Sequence, residues 1–201
     1  MLPKTRLNRT SVVQAAANLV NQEGAESLTL SRLADRLGIR PPSLYNHISS
    51  LDDLYRQLAL VNARQLGERL AGAAIGKSGL PAMAAVAQAY RAYIKENPGL
   101  YTASLRASRN QNPVDAELTA AEDRAVQVVM AVTASFDLDG EEALHAIRGL
   151  RSLVHGFATL EIAGGFGLPL DCDESFRRLV EIYTSGLQAS QAGRLPDGDQ
   201  R

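Results

Sequence analysis

Apolar residues recur through this chain at the spacing of a helix. Gly, Pro and capping residues stand where those runs end, which leaves almost no room for a strand. The periodicity predicts helices over residues 11–22, 30–37, 41–47, 51–71, 80–96, 100–107, 112–136, 140–163 and 172–188. Gly24 and Gly38 stop the first two, and Asn97-Pro98-Gly99 stops the fifth. Gly164-Gly165-Phe166-Gly167-Leu168-Pro169 is a loop that no helix crosses. Helix starts are read from side chains able to accept from free backbone N–H groups: Ser11 with Gln14, Thr29, Ser50 with Asp53, Asp139 with Glu142, and Asp171 with Glu174. Pro41-Pro42 suits the first turn of the short third helix. The fold class that follows is all-α with about nine helices: three short ones, a long fourth, then five longer ones.

A chain of 201 residues, 45% of them hydrophobic, can bury one sizeable core, or a small module joined to a larger one. The single Cys172 excludes an intramolecular disulfide framework and fits a reducing compartment. No apolar run approaches the roughly 20 residues of a membrane span, and residues 1–10 are polar and basic without the apolar stretch of a signal peptide. A soluble cytoplasmic protein is expected. Residues 1–50 carry six basic side chains against three acidic ones, while residues 51–201 carry 15 against 19. A basic head on an acidic body suits a chain whose one end meets a polyanion. The expected division is a head over 1–50, a body over 51–190 that begins with a linking helix over 51–71, and a disordered tail over 191–201.

Residues 28–47, LTLSRLADRLGIRPPSLYNH, read as two short helices joined by Leu37-Gly38-Ile39-Arg40. Glycine at that turn supplies the positive φ the chain needs after the first helix. Ala34 is small where the helices cross, and Leu33, Leu37, Ile39 and Leu44 fill the seam. This is a helix-turn-helix, a motif that lays its second helix in the DNA major groove.

The longer stretch LTLSRLADRLGIRPPSLYNHISSLDDLYRQLA resembles the DNA-binding head of TetR-family repressors. The likeness runs through Leu33-Ala34, Leu37-Gly38, Pro42, Leu44-Tyr45 and His47 and covers about residues 10–60. In the body, Leu153-Val154-His155-Gly156-Phe157-Ala158 resembles the Trp-His-Gly signature of one TetR C-terminal subclass, with Val154 where that signature has tryptophan. The resemblance implies that Pro42, Ser43, Tyr45 and His47 face the major groove or its walls. Arg40 would reach a guanine edge or a phosphate, the former discriminating by about 1–3 kcal/mol. Thr29 and Ser31 would offer hydroxyl and backbone N–H groups to a phosphate. Lys4, Arg6 and Arg9 would form a flexible arm along the backbone or minor groove. Other roles stay open for two of these: Tyr45 packing on the first helix, and His47 capping. Many relatives hold a phosphate with a lysine near the start of the fourth helix. Leu51, Asp52 and Asp53 stand there instead, so the arm and Arg40 are expected to carry more of the grip.

The resemblance also implies a homodimer built on the last two helices and a small-molecule pocket among the central ones. The interface candidates are Ile147, Leu150, Val154, Phe157, Phe176, Leu179, Val180, Tyr183 and Leu187; the rival reading makes them one protomer's own core. The pocket candidates are Met83, Tyr90, Tyr93, Tyr101, Leu105, Met130, Phe136 and His155, each of which has plain core packing as its alternative. His155 needs a polar partner, either an effector or a group such as Glu161 or a backbone carbonyl. The expected protein is a ligand-responsive repressor that binds a palindromic operator on double-stranded DNA. A small apolar or aromatic effector would release it by shifting the spacing of the two heads through the fourth helix. The alternative is an architectural or protein-interaction module with no effector. No Gly-rich phosphate loop, Cys-x-x-Cys or His-x-x-x-His occurs, so no enzyme, cofactor or metal is expected.

Overall fold

The structure, a computed structural model, describes residues 7–108 and 115–192. Among these residues there are nine α-helices, two single 3-10 turns and no strand. The helices are α1 (Arg9–Glu23), α2 (Leu30–Leu37), α3 (Pro41–Leu44), α4 (Leu51–Ala74), α5 (Gly79–Glu96), α6 (Pro98–Ser108), α7 (Ala116–Thr133), α8 (Gly140–Ile162) and α9 (Cys172–Ala192). The all-α expectation holds. No described helix is long and apolar enough to cross a membrane.

The chain packs as two compact units, Met1–Gln65 with Asn97–Glu122, and Leu66–Glu96 with Asp123–Arg201. This partition differs from the expected break at residue 50. The first half of α4, all of α6 and the start of α7 pack with the head. α9 runs past its expected end near Gln188 and takes in Gln191 and Ala192, the first two residues of the expected disordered tail; the rest of that tail lies outside the described residues.

In the first unit, Val12, Ala16, Leu19 and Val20 of α1 share a core with Leu28, Leu33, Ala34, Leu44, Ile48, Leu54, Leu58, Leu100 and Ala103. The backbones of α1 and α6 nearly touch. A Cβ at Gly99 would lie inside the Val20 carbonyl, so only glycine fits. Asn21 fastens the crossing: its Oδ1 accepts from the Leu100 N–H at 2.8 Å, and its amide donates to Asn97 Oδ1 at 3.2 Å. The Asn97-Pro98-Gly99 run therefore does more than end α5. Pro98 opens α6 at a position where its missing N–H costs nothing. Arg56 on α4 ties the start of α7 through Asp115 and Glu117.

In the second unit, Met83, Val86, Ala87, Tyr90 and Ile94 of α5 pack with Ala143, Leu150, Val154 and Phe157 of α8 and Phe176 and Val180 of α9. Gly149 lets Tyr183 lie flat on α8, where a Cβ would stand 2.9 Å from the phenol oxygen. That phenol donates to the Ala146 carbonyl.

Two caps differ from expectation. Asn8, not Ser11, caps α1, forming a reciprocal box in which the Ser11 hydroxyl accepts from the Asn8 N–H. Sequence reading fixed on the second partner of that box as the first. Asp139 stands at the N-cap of α8 but makes no side-chain capping bond. Thr29 caps α2 as expected, and Ser50 accepts from the Asp53 N–H.

Candidate functional site

The turn between α2 and α3 is built by Gly38 at φ 65°, ψ 32°. Its N–H donates to Asp35 O at 3.1 Å, and Ile39 N–H reaches back to Ala34 O at 3.0 Å, closing the last turn of α2. Arg40 then sits extended at the N-cap of α3, followed by Pro41 and Pro42 in the first turn. The regular helix is shorter than the expected 41–47. It ends at Leu44, and a turn through Tyr45 and His47 continues it, held by Leu44 O accepting from His47 and Ile48 N–H. Leu44 and Ile48 are fully buried against the head's core and fix how this element sits. The outward side presents Arg40, Pro42 and Tyr45 as exposed groups and Ser43 and His47 as half-buried ones. Tyr45 is 58% exposed, which excludes the packing role left open for it. Thr29 and Ser31 stand exposed at the first turn of α2.

Charge on this head is mostly spoken for. Arg9 is not in a free arm: it is the first residue of α1, and its guanidinium lies 2.6 Å from Asp53. Asp53 also accepts from the Ser49 N–H at 2.9 Å, so it braces the entry to α4. Arg32 and Arg36 pair with Glu23, and Arg36 also meets Gln22. Arg40 makes no ion pair with any described residue, which leaves its fork open to a ligand. Lys4 and Arg6 lie outside the described residues.

In the body, the expected pocket residues fall in both units. Tyr101 and Leu105 belong to the first; Met83, Tyr90, Tyr93, Met130, Phe136 and His155 belong to the second. Met83, Tyr90, Tyr93, Tyr101 and Phe136 are buried; Leu105, Met130 and His155 are half-buried. Burial holds the Tyr93 phenol protonated well above its ordinary range. Five expected interface residues, Leu150, Val154, Phe157, Phe176 and Val180, are already buried within the single protomer. Ile147, Leu179, Tyr183 and Leu187 are half-buried. The exposed apolar side chains on these helices are others: Leu144, Leu160 and Ile162 on α8, and Ile182 on α9.

Sequence reading missed Arg91. It is 1% exposed, yet it carries a full charge in the apolar stripe Ala87, Tyr90, Arg91, Ile94 of α5. Glu161 takes its Nε and one terminal nitrogen at 2.8 and 2.7 Å, and Asp173 takes the other at 2.7 Å. The Phe157 and Phe176 rings flank it, with centroids 5.3 and 4.9 Å from the guanidinium carbon. Burial works against its charge, but the bonds to Glu161 and Asp173 prevail and raise its pKa. Glu161, held open as a partner for His155, is engaged by Arg91 and Lys95. A charge inside an apolar helical stripe was the available signal.

Residues 12–58 match the family described as bacterial regulatory proteins, tetR family, and residues 83–183 match the tetracyclin repressor-like C-terminal domain. An uncharacterized HTH-type transcriptional regulator of Mycobacterium tuberculosis is 36% identical over 183 residues, 91% of this chain and 83% of that relative. The uncharacterized HTH-type transcriptional regulator YobS of Bacillus subtilis is 34% identical over 191 residues, covering 93% and 96%. A TetR variant from Acinetobacter baumannii, solved in complex with minocycline, superposes with a TM-score of 0.68 at 19% identity, covering 92% of this chain and 99% of that one. Such regulators are not enzymes. A head built on the α2–turn–α3 geometry, a matching body and two relatives alike over most of their lengths together place this chain in the TetR family of transcriptional regulators.

Proposed function

We propose that this protein is a ligand-responsive repressor that binds a palindromic operator as a homodimer and leaves it when a small apolar effector binds. Members of its family bind DNA as dimers and respond to small-molecule effectors. The observation that carries the reading is the outward side of the α2–α3 element. Arg40, Pro42 and Tyr45 stand exposed over a fully buried Leu44, so the reading groups are held by the core that orients them. One such head reads only a few base pairs, and two on half-sites multiply specificity. The proposed DNA contacts also take in Lys4 and Arg6, by their charge, and Thr29, Ser31, Ser43 and His47, on or near phosphates.

For the dimer, the exposed residues Leu160 and Ile182 are better candidates than the interior set. They lie on the sides of α8 and α9 left uncovered by the protomer, next to Gly156 and Gly186, which have open space around them. Small residues there let a second pair of helices approach closely. Fluorescence anisotropy with a labelled fragment of the gene's own promoter region tests the reading. A preference over random DNA of at least about a thousandfold at physiological salt is expected. Equal affinity for the two would overturn it.

A further inference from the structure

Between α5 and α9 in the second unit runs a groove of about 550 Å³, lined by Leu80, Pro81, Ala84, Phe176 and Val180, with Gln88, Asp173, Thr184 and the mutually paired Arg177 and Glu181 as polar groups. That volume suits a small molecule. None of the pocket residues expected from sequence lines it. Asp173, one of the lining residues, hydrogen-bonds the buried Arg91, which stands one turn beyond Gln88 on α5 and outside the lining itself. The Asp173 side chain is 76% exposed although its partner is almost wholly buried. The exposed Asp173 carboxylate can turn into water, and the buried Arg91 then keeps Glu161 but needs a second acceptor in its place. With Asp173 turned away, Arg91 and Lys95 face only Glu161. A positive charge is then left between two phenyl rings at the head of an apolar trough.

We infer that this groove binds an amphipathic carboxylic acid, its carboxylate replacing that of Asp173 on Arg91 and its apolar tail lying along Ala84, Val180 and Leu80. Asp173 is thus an internal stand-in for the ligand's head group. The assignment of this ligand as effector rests on the proposed function, but its binding does not. From Gln88 to Leu80 the groove follows about 12 Å of helix, the reach of a medium-length acyl chain.

Isothermal titration calorimetry of the full chain with decanoate, decan-1-ol and acetate tests the site. Decanoate is expected to bind once per protomer, with the alcohol and acetate at least about tenfold weaker. Asp173→Ala removes the competitor and is expected to tighten decanoate about threefold to fivefold. Ala84→Trp fills the trough and is expected to abolish binding, with the protein's sedimentation unchanged. Arg91 is left intact, because its loss would strand Glu161 without its principal partner. No decanoate binding, equal binding of decan-1-ol, or no tightening in Asp173→Ala would overturn the site. A change of oligomeric state in Ala84→Trp would also overturn it, by making the groove a surface between copies. Decanoate that binds but leaves operator affinity unchanged would overturn its role as effector. A protein that fails to recognise its operator would defeat the proposed function instead, and the calorimetry would still decide the groove.

Discussion

Adding one methyl group at Gly99 would drive a carbon into the Val20 carbonyl, a backbone atom that cannot swing aside. Gly99→Ala is therefore expected to cost at least about 3 kcal/mol, read as a lower urea midpoint. An exposed control such as Gly72→Ala, with open space around it, should change little. Glu161 supplies a pH prediction. Its hydrogen bonds from Arg91, and then from Lys95, hold its pKa below the ordinary carboxylate value in the folded state. The stability this contributes is present above the unfolded-state value and is lost as pH falls through the depressed folded value. Replacing it, Glu161→Gln, should lower stability near neutral pH and flatten the acid side of a stability–pH curve. A variant curve parallel to that of the original protein would contradict the linkage.

Among the elements, α2 and α3 were the most legible, because turn chemistry is local. Thr29, Gly38 and Pro42 act on backbone atoms a few positions away, so their spacing carries their roles. Long-range packing was not legible in the same way. Nothing local to Gly99 says that Val20 lies against it, and nothing local to Arg9 names Asp53 as its partner. The apolar residues of α8 and α9 look the same in sequence whether they meet a partner or their own protomer; only the fold shows that five of the candidates are already buried in one protomer. The pairing of head arginines yields a prediction about α3. Arg40→Ala should weaken operator binding by about 1–3 kcal/mol and relax preference at one base position. Arg32→Ala, whose guanidinium is already held by Glu23, should have a much smaller effect. Equal losses for both would show that ion pairing on the head does not decide which arginine reads DNA.

At the scale of the whole molecule, the exposed apolar side chains of α8 and α9 predict where association should fail. Leu160→Glu with Ile182→Glu should lower the dimer fraction in sedimentation velocity while leaving the helical content of the protomer intact, since both side chains are more than half exposed. A dimer unaffected by the pair would move the interface elsewhere. The close crossing of α1 and α6 has another consequence, for engineering. It bears on any chimera that grafts one regulator's DNA-reading module onto the body of another. A splice at residue 50 would carry Val20 and Asn21 into the chimera and leave Gly99 and Asn97 behind in the donor. The incoming module would then meet a foreign sixth helix, and any residue there other than glycine would wedge the two apart. A working hybrid of this chain has to transplant that short segment along with the reading module.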